Sequence, residues 1–459
     1  VRFKTRTFTG DALTPITVYQ QMNQKQKFIL ESSLGHGEKG RYSFIGQAPF
    51  KEVIGKDQTV TVKNHHTGEV KEFTDVLPID IVKKELPRVD LGLPYLFYGG
   101  AIGYIAYDVI RGYEEIGAIL EDDIMMPDIH LMFYQEVIVF DHKNQTVTLL
   151  AVDLTEDRDD VALVQVLDRL EVEIRQAHDL KKDSALDITF KPTMTKQAFM
   201  EKVEAAKRHI IDGDIFQIVL SQRLTADYDH DPFELYRKLR ISNPSPYMYY
   251  IDFGPYVVLG TSPESLIQVR GTTVITNPIA GTRPRGKTEA EDERLSEELL
   301  ADEKERAEHK MLVDLSRNDL GRIAKVHSIT LPKFMTIERY QHVMHIVSEV
   351  RATLDESMDS LDCLTATLPA GTVSGAPKIK AMQLINQFET KKRGVYSGAC
   401  GYINMNGDLD LALAIRTMVV KDNKAYVQAG AGIVYDSDPE SEYEETLNKA
   451  KSLVEVFKR

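Results

Sequence analysis

Between Arg2 and about residue 150, short apolar runs alternate with turn formers: Tyr42-Ser43-Phe44-Ile45-Gly46, the Gly99-Gly100 pair, and Glu136 to Phe140 before Asp141-His142-Lys143-Asn144. Runs of this length with such boundaries predict strands, so this stretch reads as β-rich. From Glu156 to Ala177 the period lengthens, with Val161, Val164, Leu167, Leu170 and Ile174 at three- and four-residue steps, which predicts a helix. A charged and polar stretch follows to Asp187. It marks the boundary expected between an N-terminal β-rich lobe, residues 1–185, and a second lobe, residues 190–459.

The second half mixes both periods. Thr288 and Glu291 have capping-box spacing, and one long amphipathic helix is expected from Glu289 to Leu315, with Leu300, Met311, Leu312 and Leu315 along its stripe. Asp438-Pro439 opens a final helix whose stripe is Tyr443, Leu447, Ala450, Val454 and Phe457. Between them the apolar segments 395–405, 409–420 and 425–435 are divided by Asn406-Gly407 and by Lys421 to Lys424. They predict a meander of at least three antiparallel strands.

Composition narrows the possibilities. With 459 residues, 42% hydrophobic and 27% charged, the chain can bury a large core, and its length suggests two or three domain-sized units. Its 56 basic and 70 acidic residues leave a net charge of −14, which repels polyphosphate and argues against nucleic-acid binding. Cys363 and Cys400 have neither CxxC nor metal-ligand spacing, so a reducing compartment is expected. The N-terminus carries no apolar signal core, and Leu91 to Tyr107 is too broken by glycines and tyrosines to span a membrane. A cytoplasmic protein follows as the expectation.

Gly281 to Thr288 matches the phosphate-loop pattern GxxxxGK[ST] between a strand-like Val274 to Ala280 and a helix, so a nucleotide hydrolase has to be weighed. That helix, however, opens with Glu289, Glu291, Asp292 and Glu293, which would repel phosphates, and Thr288 is wanted as N-cap. Elsewhere, acids stand in unexpected places. Glu308 lies on the apolar stripe of the long helix with Glu305 one turn before it, a pair that needs either a basic partner or a cation. Glu442 and Glu445 repeat the arrangement on the final helix, where Lys449 can pair with Glu445.

Arg416 shares a face of the apolar run Leu411 to Val420 with Ala412, Ala414, Met418 and Val420. A buried guanidinium requires an anion, either Asp410 or a ligand carboxylate. Ala429-Gly430-Ala431-Gly432 allows close approach to backbone amides, although Tyr435 spoils it as a dinucleotide fingerprint. The loop Ala370 to Pro377, including Thr372, runs into a helix, and Gly260 to Glu264 presents a carboxylate from a turn. His345 stands in an alternating strand, and Cys400 reads as a small strand residue.

Together these segments resemble the chorismate-utilising enzymes, a family that includes anthranilate, aminodeoxychorismate, isochorismate and salicylate synthases. The resemblance is carried in order by Pro278-Ile279-Ala280-Gly281-Thr282, Glu308-His309 with Leu312 to Gly321, His342 to His345, Thr372 to Lys378, and Glu442-Tyr443-Glu444-Glu445-Thr446. It implies an α+β fold of antiparallel sheets covered by helices, in two intimately packed lobes, with chorismate and Mg²⁺ in a cleft. By the same resemblance Glu308 and Glu445 would hold the metal, with Glu305 and Glu442 beside them. Gly281, Thr282, Thr372 and Lys449 would border the substrate, while Arg416, Tyr396 and the backbone at Gly430 and Gly432 would take its enolpyruvyl carboxylate. Glu264 would be the general acid and His345 would assist loss of pyruvate.

Two positions bear on the nucleophile. Family members that add water carry a lysine where this chain has Gln217, and an amide cannot act as that base. Aminodeoxychorismate synthases, the nearest alternative, often carry a nucleophilic lysine where this chain has Ala280. Ammonia attack at C2, ending in anthranilate and pyruvate, is what remains. No Cys-His-Glu glutaminase arrangement surrounds Cys363 or Cys400, so the resemblance implies a separate glutamine amidotransferase subunit. Leu30-Glu31-Ser32 in the first lobe and Asn243, Pro246, Tyr247 and Met248 in the second resemble the family's tryptophan-inhibitor site.

Overall fold

The structure is a computed structural model and describes residues 1–33, 39–176 and 188–458. Of the boundary expected near 180–190, residues up to 187 lie outside the described residues. On either side of it the chain contributes to both of two large sheets, each of twelve strands among the described residues: eleven along one path, plus Gly375–Ala376 paired to Gln217–Asp227 in the first and Thr330–Arg339 paired to Val343–Thr353 in the second. The first sheet runs Phe3–Thr9, Thr146–Val152, Glu136–Asp141, Tyr42–Gly46, Phe28–Glu31, then across to Tyr247–Asp252, Tyr256–Ser262, Thr417–Lys421, Lys424–Ile433, Gln217–Asp227 and Lys191–Pro192. The second runs Ile279–Pro284, Val343–Thr353, Thr273–Thr276, Ser265–Arg270, Leu409–Leu413 and Ala399–Asn404, then Gly100–Ile105, Ile129–Tyr134, Lys51–Lys56, Thr59–Asn64 and Val70–Phe73. Ladders between these neighbours are antiparallel throughout.

Three apolar clusters fix the layering. Phe28, Phe44, Tyr249 and Val258 of the first sheet meet Ile102, Met132, Cys400 and Tyr402 of the second in a core between the sheets. The outer face of the first sheet is closed by Val18, Leu167, Leu170, Leu235 and Leu453 from helices. That of the second is closed by Ile79, Val82, Val313, Leu320 and Leu364, also from helices. Strands buried on both sides explain why Tyr42–Gly46 shows no polar alternation. The expected α+β class with helix-covered antiparallel sheets is what the chain adopts.

Several local expectations need correction. The long helix is two, Glu289–Ala301 and Glu303–Gly321, because Asp302 adopts an extended conformation and its carboxylate caps Lys304 and Glu305. Thr288 caps the first of them as expected, accepting from Glu291. The helix after residue 156 spans Asp160–Ile174 but buries Leu163; Val161 and Val164 are 64% and 39% exposed. The run Val274 to Ala280 is broken at Asn277-Pro278 into strands Thr273–Thr276 and Ile279–Pro284. Both hairpins form, yet segment 409–420 is not one strand. Leu409–Leu413 belongs to the second sheet and Thr417–Lys421 to the first, so the expected meander is divided between two layers.

That division positions the chemistry. The chain leaves the first sheet after Tyr256–Ser262, passes Pro263-Glu264, and enters the second at Ser265–Arg270. It makes the return crossing at Ala414-Ile415-Arg416. The flanking strands pair with each other on both sides, and the crossings are tied together: Leu413 N–H donates to the Glu264 carbonyl (2.9 Å), Thr261 N–H to the Arg416 carbonyl (3.1 Å), and Ser262 Oγ to the Leu413 carbonyl (2.6 Å).

Candidate functional site

A cleft of about 220 Å³ opens at these crossings. It is bordered by Glu264, Gly281, Thr282, His345, Thr372, Tyr396, Arg416, Gly430 and Lys449, so residues singled out from eight separate stretches of sequence meet in one place. Gly432 and Gln217 stand at its margin, one strand pairing away: a Cβ on Gly432 would lie 2.5 Å from the Gln217 amide nitrogen. A Cβ on Gly430 would come within 2.6 Å of the Tyr396 hydroxyl, so only glycine permits this approach of strand to ring.

Arg416 is not on a strand face. It sits at φ +47 in the crossing itself, and its expected internal partner is engaged elsewhere. Asp410 accepts from the Tyr247 hydroxyl (2.7 Å) and Gln268 Nε2 (3.0 Å) and lies 3.6 Å from Arg270. Among the described residues Arg416 has no ion pair or hydrogen-bonded acid; burial pushes its pKa down, against the pull of the Glu264 carboxylate. A guanidinium stays charged even so, which leaves a cation in the cleft without its counter-ion.

Glu264 is the complementary group. Burial pushes its carboxyl up to about 7, although the Thr372 hydroxyl, which donates to Oε1 at 2.9 Å, and the charges of Lys449 and Arg416 pull the other way. A carboxyl half-protonated at neutral pH can deliver a proton to a leaving group. Across the cleft His345 Nδ1 lies 2.9 Å from the Gly281 carbonyl, an acceptor only, so Nδ1 carries the proton and Nε2 is left as the basic nitrogen. Burial lowers the His345 pKa and favours this neutral ring. The carbonyl is aimed by a bulge, since Gly281 is at φ +74 and the ladder to Val343–Thr353 shifts register between Ala280 and Thr282.

The four acids sit on two helices, Glu303–Gly321 and Pro439–Val454, and none of them is among the residues that line the cleft. Glu308 Oε1 is 3.5 Å from Gln217 Nε2, and Glu305 is 3.7 Å from Arg283; burial and then the neighbouring Glu308 raise the Glu305 pKa. On Pro439–Val454, Glu445 pairs with Lys449 at 2.8 Å while Lys449 Nζ also donates to the Gly430 carbonyl at 2.9 Å. Burial and the adjacent Glu445 raise the Glu442 pKa, and its Oε2 is buried without a hydrogen-bond partner among the described residues. No three His, Cys, Asp or Glu side chains among the described residues form a ready-made metal cage. The chemistry of the set nevertheless suits Mg²⁺: all-oxygen donors in crowded acid pairs, one with a bare buried oxygen. Mg²⁺ usually takes only one or two protein carboxylates and completes its shell with ligand oxygens and water.

The phosphate-loop reading fails on geometry. Gly281 lies within a strand, and the amides of Gly286 and Lys287 donate to Asp292 and Glu291, acids of the following helix, with Arg285 and Arg339 also on Asp292. A larger open groove of about 940 Å³ passes Glu31, Asp141, Arg240, Arg285 and Arg339, whose charges are spent on ion pairs. A third cavity lies between the sheets, lined by Leu30, Glu31, Ser32, Pro246, Tyr247 and Met248, with Cys400 and Asp410 opposite. Glu31 is held there by Arg240 through both oxygens (2.8 Å each) and by the Tyr236 hydroxyl (2.6 Å). Asn243 does not line it; it caps helix Pro232–Ser242 and reaches the Ser452 carbonyl. No helix of the described residues is long and apolar enough to cross a membrane.

A family model described as chorismate binding enzyme matches residues 18–455. The chain is 47% identical over 459 residues to the anthranilate synthase component 1 of Lactococcus lactis subsp. lactis (strain IL1403), with 99% of each chain covered. It resembles the crystal structure of anthranilate synthase component I from Streptococcus pneumoniae TIGR4, with TM-score 0.85, 43% identity, and 97% of this chain and 98% of that one covered. The menaquinone-specific isochorismate synthase MenF of Escherichia coli shares the fold at 19% identity and TM-score 0.75, over 100% of this chain and 95% of that one.

Proposed function

The chain belongs to the chorismate-binding enzyme family, and from that membership we propose that it is the large component of an anthranilate synthase, converting chorismate and ammonia to anthranilate and pyruvate in tryptophan biosynthesis. The observation that carries the reading is the Arg416 cation, without an ion pair among the described residues, facing the same cleft as Glu264 with its raised pKa. Chorismate is a dianion, so its binding demands positive charge at two ends and an acid between them. Arg416 takes the enolpyruvyl carboxylate, and the ring carboxylate turns toward Glu308 and Glu445. Glu305 and Glu442 stand beside them. When bound there, Mg²⁺ supplies the positive charge that these acids cannot give the ring carboxylate.

In the first step ammonia adds at C2, the ring double bonds shift, and the C4–O bond breaks. Glu264 gives its proton to the departing hydroxyl, which leaves as water, and the added ammonium gives up a proton in return, so that C2 carries a neutral amine. In the second step a proton leaves C2 and the C3–O bond breaks to release pyruvate as its enolate, which takes up a proton at its methylene carbon. His345, with Nε2 free to accept, assists that loss. Gln217 offers no base to activate water and Ala280 no amine for a covalent intermediate, which supports ammonia over the alternatives.

The ammonia comes from glutamine through an amidotransferase partner, as the "component 1" of the relatives' names suggests a second component. The cavity between the sheets is read as a tryptophan-inhibitor site, to which residues 1–185 contribute Leu30, Glu31 and Ser32. A cytoplasmic setting suits the two buried, unbridged cysteines. Incubation of the purified chain with chorismate, Mg²⁺ and ammonium tests the reading: blue-fluorescent anthranilate is expected, and an aminodeoxychorismate product or no turnover would reject it.

A further inference from the structure

One arginine lines the cleft and another stands behind its wall, and the fold treats them oppositely. Arg416 has no ion pair among the described residues, whereas Arg393, 3% exposed, spends every N–H it has. Nε and Nη2 donate to Glu389 (2.8 and 2.9 Å), Nη2 also to the Val219 carbonyl (3.0 Å), and Nη1 to the Val373 carbonyl (2.7 Å) and Ser397 Oγ (3.2 Å). The guanidinium also stands over the rings of Tyr107 (4.9 Å) and Tyr396 (5.4 Å). Glu389 Oε1 also accepts the Ser221 amide (2.9 Å) and hydroxyl (2.8 Å), and Ser221 Oγ accepts from Gln428 (2.9 Å).

Val219, Val373, Tyr396 and Gln428 all line the cleft, and Thr372, next to Val373, holds Glu264. A buried ion pair is poor value as a stabiliser, since apolar residues of similar volume often serve as well or better. A planar fork of five donors does something they cannot: it fixes acceptors from separate chain segments at set angles. We propose that Arg393, oriented by Glu389, is a positioning residue that holds the Thr372, Tyr396, Val219 and Gln428 walls of the cleft in register for turnover; this rests on the cleft being the chorismate site.

Because Arg393 touches no substrate, its role is read through the walls it holds. A paired replacement, Arg393→Met with Glu389→Leu, removes the fork without orphaning a charge and is expected to fold with an unfolding midpoint near that of the parent. Displacement of reacting groups by about 1 Å costs about 100-fold in rate, so kcat with ammonium is expected to fall about that much. The chorismate KM is expected to rise and the alkaline limb of the pH profile to shift, because Thr372 no longer restrains Glu264. Arg393→Lys, which keeps the charge and loses the fork, should show the same pattern and serves if the double variant does not fold. A folded variant with parental kcat and limb would overturn the proposal. So would a crystal structure of it with Thr372 and Tyr396 unmoved relative to Glu264, and that measurement decides the matter even if the parent proves inactive on chorismate.

Discussion

Arg416→Met is expected to make the substrate-free protein more stable while weakening chorismate binding and turnover. The side chains are similar in length and neither is β-branched, so the strain of a positive φ at this position is nearly unchanged. What changes is the charge. Arg416 is half-buried with no acid paired to it among the described residues, and replacing buried ionic groups by apolar ones of like volume commonly gains about 1–4 kcal/mol. In urea unfolding without substrate the midpoint is therefore expected to rise. Chorismate binding moves oppositely, since losing a carboxylate partner from a desolvated guanidinium costs about 2–5 kcal/mol, or about 30- to 5,000-fold in affinity. Calorimetric titration of chorismate with Mg²⁺ and no ammonia reads that term directly. A destabilised variant, or an affinity within about 3-fold of the parent, would refute the reasoning, because Arg416 would then have a structural partner after all.

Glu264→Gln should lower kcat by about 100- to 10,000-fold with little change in KM. In the parent, the acid is protonated below its raised pKa of about 7 and is lost as pH rises through it, so kcat should decline on the alkaline side of neutrality; a profile flat to pH 9 would argue against this role. Glu308→Gln should abolish turnover while circular dichroism and melting stay near parental, and chelation of Mg²⁺ should silence the parent reversibly; persistent activity in either case rejects the metal assignment. Saturating tryptophan should depress turnover and Glu31→Gln, which breaks the grip of Arg240, should relieve it, whereas unchanged activity with tryptophan would empty the second cavity of that meaning.

Much of the cleft was legible before the fold, because its residues announce themselves by local anomaly. Glu264 stands in a turn, Gly430 in a run of small residues, Arg416 in an apolar segment, and the structure gathers all three around one cavity. What stayed hidden is non-local. Residues 409–420 are buried nearly throughout, so hydropathy cannot show that the chain changes sheets at Arg416, and Asp410 looks like a partner only while both are placed on one strand. The break at Asp302 interrupts no apolar stripe, which is why two helices read as one. Arg393 escaped notice among Lys391 and Lys392, although Glu389, four residues before it, is the ordinary spacing of a helical ion pair.

The two crossings form a single joint between the layers, since the acid and the guanidinium ride on backbones hydrogen-bonded to each other and continuous with both sheets. Sliding or prying one layer against the other therefore cannot leave the reacting pair untouched. The cavity lined by Glu31 on one layer and Cys400 on the other is a place where a wedge could enter, and its leverage would be felt at the joint without any contact with substrate.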